Sequence, residues 1–173
     1  MMRKVIFASL TVMTVGLFVY YYLGGFNEVD IELVETEEYI IAGYSYHGPY
    51  DQDVLQDLFF QVKEYVEADV LKGIITVLNY DSAVTEADSI HQLIGVRLQA
   101  EPLNKPQEVA LETIPAGRAV RATIRAHPLV MPNPESILEQ IRSFAVKNNL
   151  ELKALSIEQY VESEEIWVDI PIR

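Results

Sequence analysis

The spacing of hydrophobic and polar positions changes several times along this chain, and each change marks an element. Positions 5–23 carry no charge. A helix over them is about 28 Å long, close to the hydrocarbon thickness of a bilayer. Over 31–36 apolar and acidic residues alternate. Over 39–47 the alternation returns, with Ile41, Gly43 and Ser45 on one face and Ile40, Ala42, Tyr44 and Tyr46 on the other. Both stretches read as strands. Over 51–66 the period lengthens: Val54, Leu55, Leu58, Phe59, Val62, Tyr65 and Val66 recur at three- and four-residue spacing. That stripe predicts an amphipathic helix, with Asp51 or Asp53 as its cap. Strands over 74–80 and 90–99 follow, separated by polar residues 81–88.

The second half repeats the order. Strands are expected over 108–114 and 118–126, a helix over 135–147 after Pro132-Asn133-Pro134, and strands over 152–161 and 165–172. Val34-Glu35-Thr36 recurs as Leu111-Glu112-Thr113, and residues 73–80 recur as 153–160 with Tyr80 answering Tyr160, at offsets of 77 and about 80. The pattern predicts an α+β fold of two β-β-α-β-β repeats, 31–98 and 109–172. They form a mainly antiparallel sheet backed by two helices, preceded by one transmembrane helix. Residues 1–26 form the anchor with its short basic start, and 27–173 form the domain. A groove is expected between the copies.

The flanks of the apolar segment set its orientation. Arg3 and Lys4 precede it and the next basic residue is Lys63, while Tyr20, Tyr21 and Tyr22 sit where an interfacial aromatic belt lies. A cleaved secretory signal has a shorter apolar core followed by small residues, so an uncleaved anchor is the better reading. The expected location is the cytoplasmic (inner) membrane, single-pass, with the amino terminus inside and the domain outside, periplasmic or extracellular. The chain has no cysteine, which excludes a lipid-modified cysteine anchor.

Charge narrows the partners. Residues 27–173 hold all 26 acidic residues against 11 of the 13 basic ones, a net of −15. Nucleic acid and anionic lipid surfaces need cationic neutralisation and are disfavoured; a cationic ligand is compatible. The glycines are scattered, so no phosphate-binding loop appears, and no serine sits in a nucleophile-elbow context. His47 and His127 lie at corresponding strand ends but make a weak metal pair. No metal, cofactor or catalytic residue is assigned.

Several short motifs occur in a particular order: Tyr46-His47-Gly48-Pro49-Tyr50, Gly73-Ile74 leading to Tyr80-Asp81, Ile94-Gly95-Val96, Ile114-Pro115-Ala116-Gly117, and Glu165-Ile166-Trp167-Val168-Asp169-Ile170-Pro171-Ile172. Together they resemble the GyrI-like (gyrase-inhibitor-like) small-molecule-binding family, the effector-binding domain found behind AraC-type and MerR-type regulators. The resemblance spans 31–172. It implies two repeats side by side, with helices backing a sheet and an aromatic-lined ligand cleft between the copies. It also implies an acid shortly before the final proline that meets a cationic ligand. Here the fourth residue before Pro171 is Trp167, and the acids Asp169 and Glu165 lie two and six before it. The chain departs from the regulators in carrying an apolar amino-terminal segment rather than a helix-turn-helix domain.

Glu165, Trp167 and Asp169 alternate and so share one strand face. Carboxylates beside an indole suit a lipophilic cation through charge and cation–π attraction; the competing reading is a solvated acidic face on an edge strand. Tyr44, Tyr46, Tyr80 and Tyr160 complete the candidate ligand-binding set, with Tyr80 and Tyr160 expected to face each other across the pseudo-axis. The expected function is a membrane-tethered domain binding a small amphipathic or cationic molecule between its repeats. One alternative is a membrane-anchored protein–protein adaptor with an unidentified partner. Another is a small-molecule hydrolase using Glu165 with Tyr160; enzyme activity is the less favoured reading.

Overall fold

The computed structural model describes the backbone of residues 2–80, 89–99 and 106–173, and side chains throughout these except at 2–6 and 8. The expected loop at 81–88 lies outside the described residues. Eleven of the expected and observed helices and strands coincide within a few residues: α1 (Met2–Tyr22), β1 (Asp30–Thr36), β2 (Tyr39–Pro49), α2 (Gln52–Glu67), β3 (Gly73–Tyr80), β4 (Ser89–Leu98), β5 (Ala110–Ile114), β6 (Gly117–Arg125), α3 (Pro134–Lys147), β7 (Leu155–Glu162) and β8 (Glu165–Pro171). A 3-10 turn at Pro128–Val130 was not legible in the pattern. Strand β7 starts three residues later than expected, since Leu152 instead bridges Ile172.

Local chemistry explains the helix starts. Asp51 caps α2, its carboxylate accepting from the backbone N–H groups of Asp53 and Val54. Asn133 caps α3 by accepting from the N–H of Glu135, and Pro134 occupies the first turn, where its missing donor is harmless.

The eight strands form one sheet in the order β1-β6-β8-β7-β3-β4-β2-β5, and every neighbouring pair is antiparallel. This order is a palindrome of the two repeats. They meet at β3 and β7, and each sends its first strand across to the other: β1 pairs with β6, and β5 with β2. The swap interlocks the copies, so they do more than abut along one edge.

Both helices cover the same face. On it, Ala42, Val77, Ile94 and Val96 pack with Val62 of α2. Val120, Ala122, Ile124, Val168 and Ile170 pack with Ile137 and Ile141 of α3. The opposite face has a core of its own: Tyr39, Ile41, Leu78, Leu93 and Ile157, all at most 5% exposed. Among the described residues no helix covers them, and the curl of the sheet is what hides them.

The register corrects the offsets read from sequence. Tyr80 lies opposite Leu155, and Tyr160 lies opposite Ile75. Directly paired residues share a face and successive residues alternate, so Tyr80 and Tyr160 point to opposite faces and do not meet. The two-fold axis of an antiparallel seam is perpendicular to the sheet and keeps equivalents on one face. The offset between β3 and β7 is therefore odd, not 80. On β1 and β5, where 77 was read, the helix-facing residues are both odd-numbered, Ile31 pairing with Ala122 and Leu111 with Ala42, so that offset is even, not 77.

Segment α1 stands apart. Phe7, Leu10, Val12, Met13, Val15 and Phe18 are each more than half exposed. The turn after it is docked: the His127 N–H donates to the Leu23 carbonyl at 3.0 Å, and Asn27 Nδ2 donates to the Arg125 carbonyl at 2.6 Å. Among the described residues, no helix is long and apolar enough to cross a membrane. Side chains 1–6 and 8 of the expected span lie outside that description.

Candidate functional site

The seven candidate side chains divide between the two faces of the sheet. Tyr44, Tyr46 and Tyr160 lie on the helix-covered face. The Tyr44 and Tyr65 hydroxyls share a hydrogen bond at 3.0 Å; burial, then that bond, pushes the Tyr44 hydroxyl up to about 12. Tyr46 donates to the Pro49 carbonyl at 2.6 Å. Tyr160 packs edge-on against Phe59 at 5.3 Å, and burial, then Glu158, pushes its hydroxyl up to about 12. These three are packing and turn residues of the α2 side.

Tyr80, Glu165, Trp167 and Asp169 lie on the helix-free face, but Tyr80 is remote from the rest. It stacks on His91 at 4.3 Å, and His91 stacks on His47 at 5.4 Å. The Tyr80 hydroxyl is sealed from solvent and has no partner within hydrogen-bond geometry among the described residues. Burial, then the neighbouring Glu112, pushes it well above its ordinary value. His127 accepts from the Leu129 N–H at the 3-10 turn, away from His47. Among the described residues no group of three or more metal-ligating side chains occurs.

Neither terminal acid is a free carboxylate waiting for a cation, and β8 is not an edge strand, since it lies between β6 and β7. Glu165 accepts from Arg125 Nε at 2.8 Å and from Trp167 Nε1 at 2.7 Å. Those two bonds, the indole first, hold its carboxyl below the usual range. That is the opposite of what a proton shuttle at neutral pH needs. Glu165 and Tyr160 also occupy opposite faces, because Tyr160 pairs with Ile166, so the proposed hydrolytic pair is not assembled.

Asp169 is fully buried and accepts four hydrogen bonds. Arg121 supplies two, Nε to Oδ1 at 2.7 Å and Nη2 to Oδ2 at 2.8 Å. Tyr39 Oη donates at 3.1 Å and Gln159 Nε2 at 2.9 Å. A bidentate guanidinium with two further donors satisfies a buried carboxylate. Burial alone lowers the Arg121 pKa, but the bond to Asp169 and its charge outweigh that and raise it. The network continues: Arg97 Nη1 donates to Gln159 Oε1 at 2.5 Å.

Above this network a cleft of about 600 Å³ opens at one end of the curled sheet. Tyr39 and Trp167 are its aromatic walls, Arg97 and Arg121 line its floor, and Glu35, Glu37 and Glu38 stand at its rim. The Arg121 guanidinium lies 4.0 Å from the Trp167 ring centre, and that of Arg97 lies 4.9 Å from the Tyr39 ring centre. Deeper in, Ile41, Leu78, Leu93 and Ile157 fill the space between the repeats. The seam is thus plugged at its centre and open at its mouth. A second cavity, about 350 Å³, lies by the Tyr80 end with Asn79, Gln92, Leu138 and Arg142 in its lining. Gln92 donates to Asn79, and Asn79 donates to Glu158 at 2.7 Å. Burial raises the Glu158 pKa, with the Asn79 bond working against it.

Of the sequence candidates, then, Trp167 lines the main cleft, Asp169 lies buried in the network beneath it, and Glu165 accepts a hydrogen bond from the indole. Sequence reasoning missed Tyr39, Arg97, Arg121 and Gln159. A signal existed: Arg97 and Arg121 are cations set inside strands of a strongly acidic chain, at positions alternating with core residues.

No family model matches the chain, and no curated protein matches it. Solved structures do. The EcmrR C-terminal domain superposes with a TM-score of 0.59 at 13% identity, covering 84% of this chain and 98% of that one. SAV2435, solved bound to tetraphenylphosphonium, gives 0.54 at 13% identity over 83% and 94%. A hydrolase from Listeria innocua gives 0.51 at 9% identity over 83% and 92%. At such identities the likeness establishes architecture: this chain shares the α+β fold of the EcmrR C-terminal domain and of SAV2435.

Proposed function

We propose that this chain is a membrane-tethered domain that binds a small amphipathic molecule in the cleft between Tyr39, Trp167, Arg97 and Arg121. The observation that carries this reading is the cleft itself. It is about 600 Å³, within the usual range for small-ligand sites, and it pairs flat aromatic walls with polar groups held in place by a buried network. The ligand recorded in SAV2435 supports small-molecule binding as a use of this architecture. A cationic ligand of that kind fits less well here, since Glu165 and Asp169 are already paired with arginines.

The chain has a single tryptophan, and it lines the cleft, so its fluorescence reports occupancy. The full chain in detergent is titrated with neutral, cationic and anionic aromatic amphiphiles. At least one class is expected to change Trp167 emission and raise Tm, and Trp167→Ala is expected to weaken that ligand. If no class alters either signal, the reading fails.

The tether is supported by the exposed apolar side chains of α1, which water alone does not favour. The expected placement is the inner membrane with the domain outside. Full-length protein should resist carbonate extraction while residues 27–173 do not, and external protease should reach the domain in intact cells. Release of the full chain by carbonate would end the tether proposal. The filled centre of the seam favours one second reading, an adaptor whose partner docks elsewhere; a cleft that binds nothing would support it.

A further inference from the structure

The two arginines of the cleft floor differ in one respect. Arg121, with 15% of its side chain exposed, is matched by Asp169. Arg97 is half-buried and, among the described residues, its side chain hydrogen-bonds to the neutral amide oxygen of Gln159. Its guanidinium leans over the Tyr39 ring, and it forms no ion pair with a carboxylate among the described residues. Among the described residues the floor therefore carries two cations, Arg97 and Arg121, against one anion, Asp169. Gln159 links them, donating to Asp169 with its nitrogen and accepting from Arg97 with its oxygen. That orientation fixes the Arg97 fork in place and leaves further N–H donors of its five to face the cleft it lines.

Resting on the reading of this cleft as a small-molecule site, we propose that its ligand is a planar amphipathic acid, whose carboxylate pairs with Arg97 while its apolar part lies against Trp167 and Tyr39. A partly desolvated guanidinium that no carboxylate of the described residues pairs with gains most from a ligand carboxylate, which it can meet through two parallel N–H bonds. Glu35, Glu37 and Glu38 at the rim oppose the approach of any anion. Their charges sit at the solvent-open mouth, where salt screens them, whereas the Arg97 contact is made inside. Lipophilic cations meet the reverse order: attraction at the rim and two guanidiniums at the floor.

Calorimetric titration of the full chain in non-ionic detergent with three probes tests this: 2-naphthoate, its neutral isostere 2-naphthylmethanol, and tetraphenylphosphonium. Naphthoate is expected to bind roughly tenfold or more tighter than the alcohol, the usual scale of a charge-assisted bond. Arg97→Gln should abolish most of that advantage, weakening naphthoate roughly tenfold and the alcohol by much less, and Arg97→Lys should restore part of it. Equal binding of naphthoate and alcohol by the native chain, or tighter binding of the phosphonium, overturns the proposal without any variant having to fold, while leaving the cleft a ligand site. Binding of none of the three overturns both the proposal and the small-molecule reading beneath it.

Discussion

Tyr39 Oη donates to Asp169 Oδ2 at 3.1 Å, although four strand steps separate β2 from β8. In a flat sheet those steps span roughly 19 Å. The bond forms because the sheet rolls until its helix-free face closes on itself. Tyr39 thus ties one repeat to the other across an interior that no helix covers. Burial, and then the Asp169 charge, raise the pKa of its hydroxyl, so it stays a donor throughout the neutral range.

Removing this tie should show the asymmetry between losing a neutral donor and losing a counter-charge. Tyr39→Phe is expected to cost about 1.5–3 kcal/mol of unfolding free energy, the scale of one hydrogen bond to a charged group. Asp169→Asn keeps the shape but leaves Arg121 buried without its carboxylate, and is expected to cost about 3–5 kcal/mol. Arg121→Met combined with Asp169→Leu should cost much less than the sum of the single changes. Urea denaturation of residues 27–173 measures all three; equal losses for Tyr39→Phe and Asp169→Asn would contradict the counter-charge argument.

The fold should also be sensitive to one pair of glycines. Gly43 and Gly95 lie directly opposite each other, and a Cβ on Gly95 would sit 2.3 Å from the Ala42 carbonyl oxygen. The two backbones therefore approach closely at this pair and leave no room for a side chain. Gly95→Ala is expected to destabilise by about 1–3 kcal/mol, the scale of overpacking, while Gly117→Ala, where nothing lies within 4 Å, should be close to neutral. Thermal unfolding of the two variants separates them, and similar Tm values would show that the close approach at Gly95 can accommodate a methyl group.

Glu158 sets a pH dependence whose sign follows from its raised pKa. The folded state binds this proton more tightly than the unfolded chain, where the carboxyl titrates near 4.5. Its contribution is therefore full below about that pH and is lost as pH rises through the folded value. Glu158→Gln keeps an oxygen to accept from Asn79 and removes the titration. The variant should lose less stability than the native chain between pH 5 and pH 8, as read by denaturant midpoints at each pH. An identical loss in both proteins would rule out Glu158 as the source.

The pattern of side chains along the chain determined its elements, their order, the duplication, and which residues of each strand share a face. These are local properties, set by backbone period and by caps such as Asp51 and Asn133. Tertiary structure alone decided how the faces combine. The offset of one repeat against the other rests on parity: a one-residue slip reverses every side chain of a strand. Short motif matches such as Tyr80 with Tyr160 do not contain that parity; the pairing at the seam does. Partner choice was closed to the sequence for the same reason. Glu165, Trp167 and Asp169 could be placed on one face, but whether their charges are free depends on Arg121, Arg125 and Tyr39. Those residues lie 40 or more positions away in the chain, and the rolled sheet brings them together.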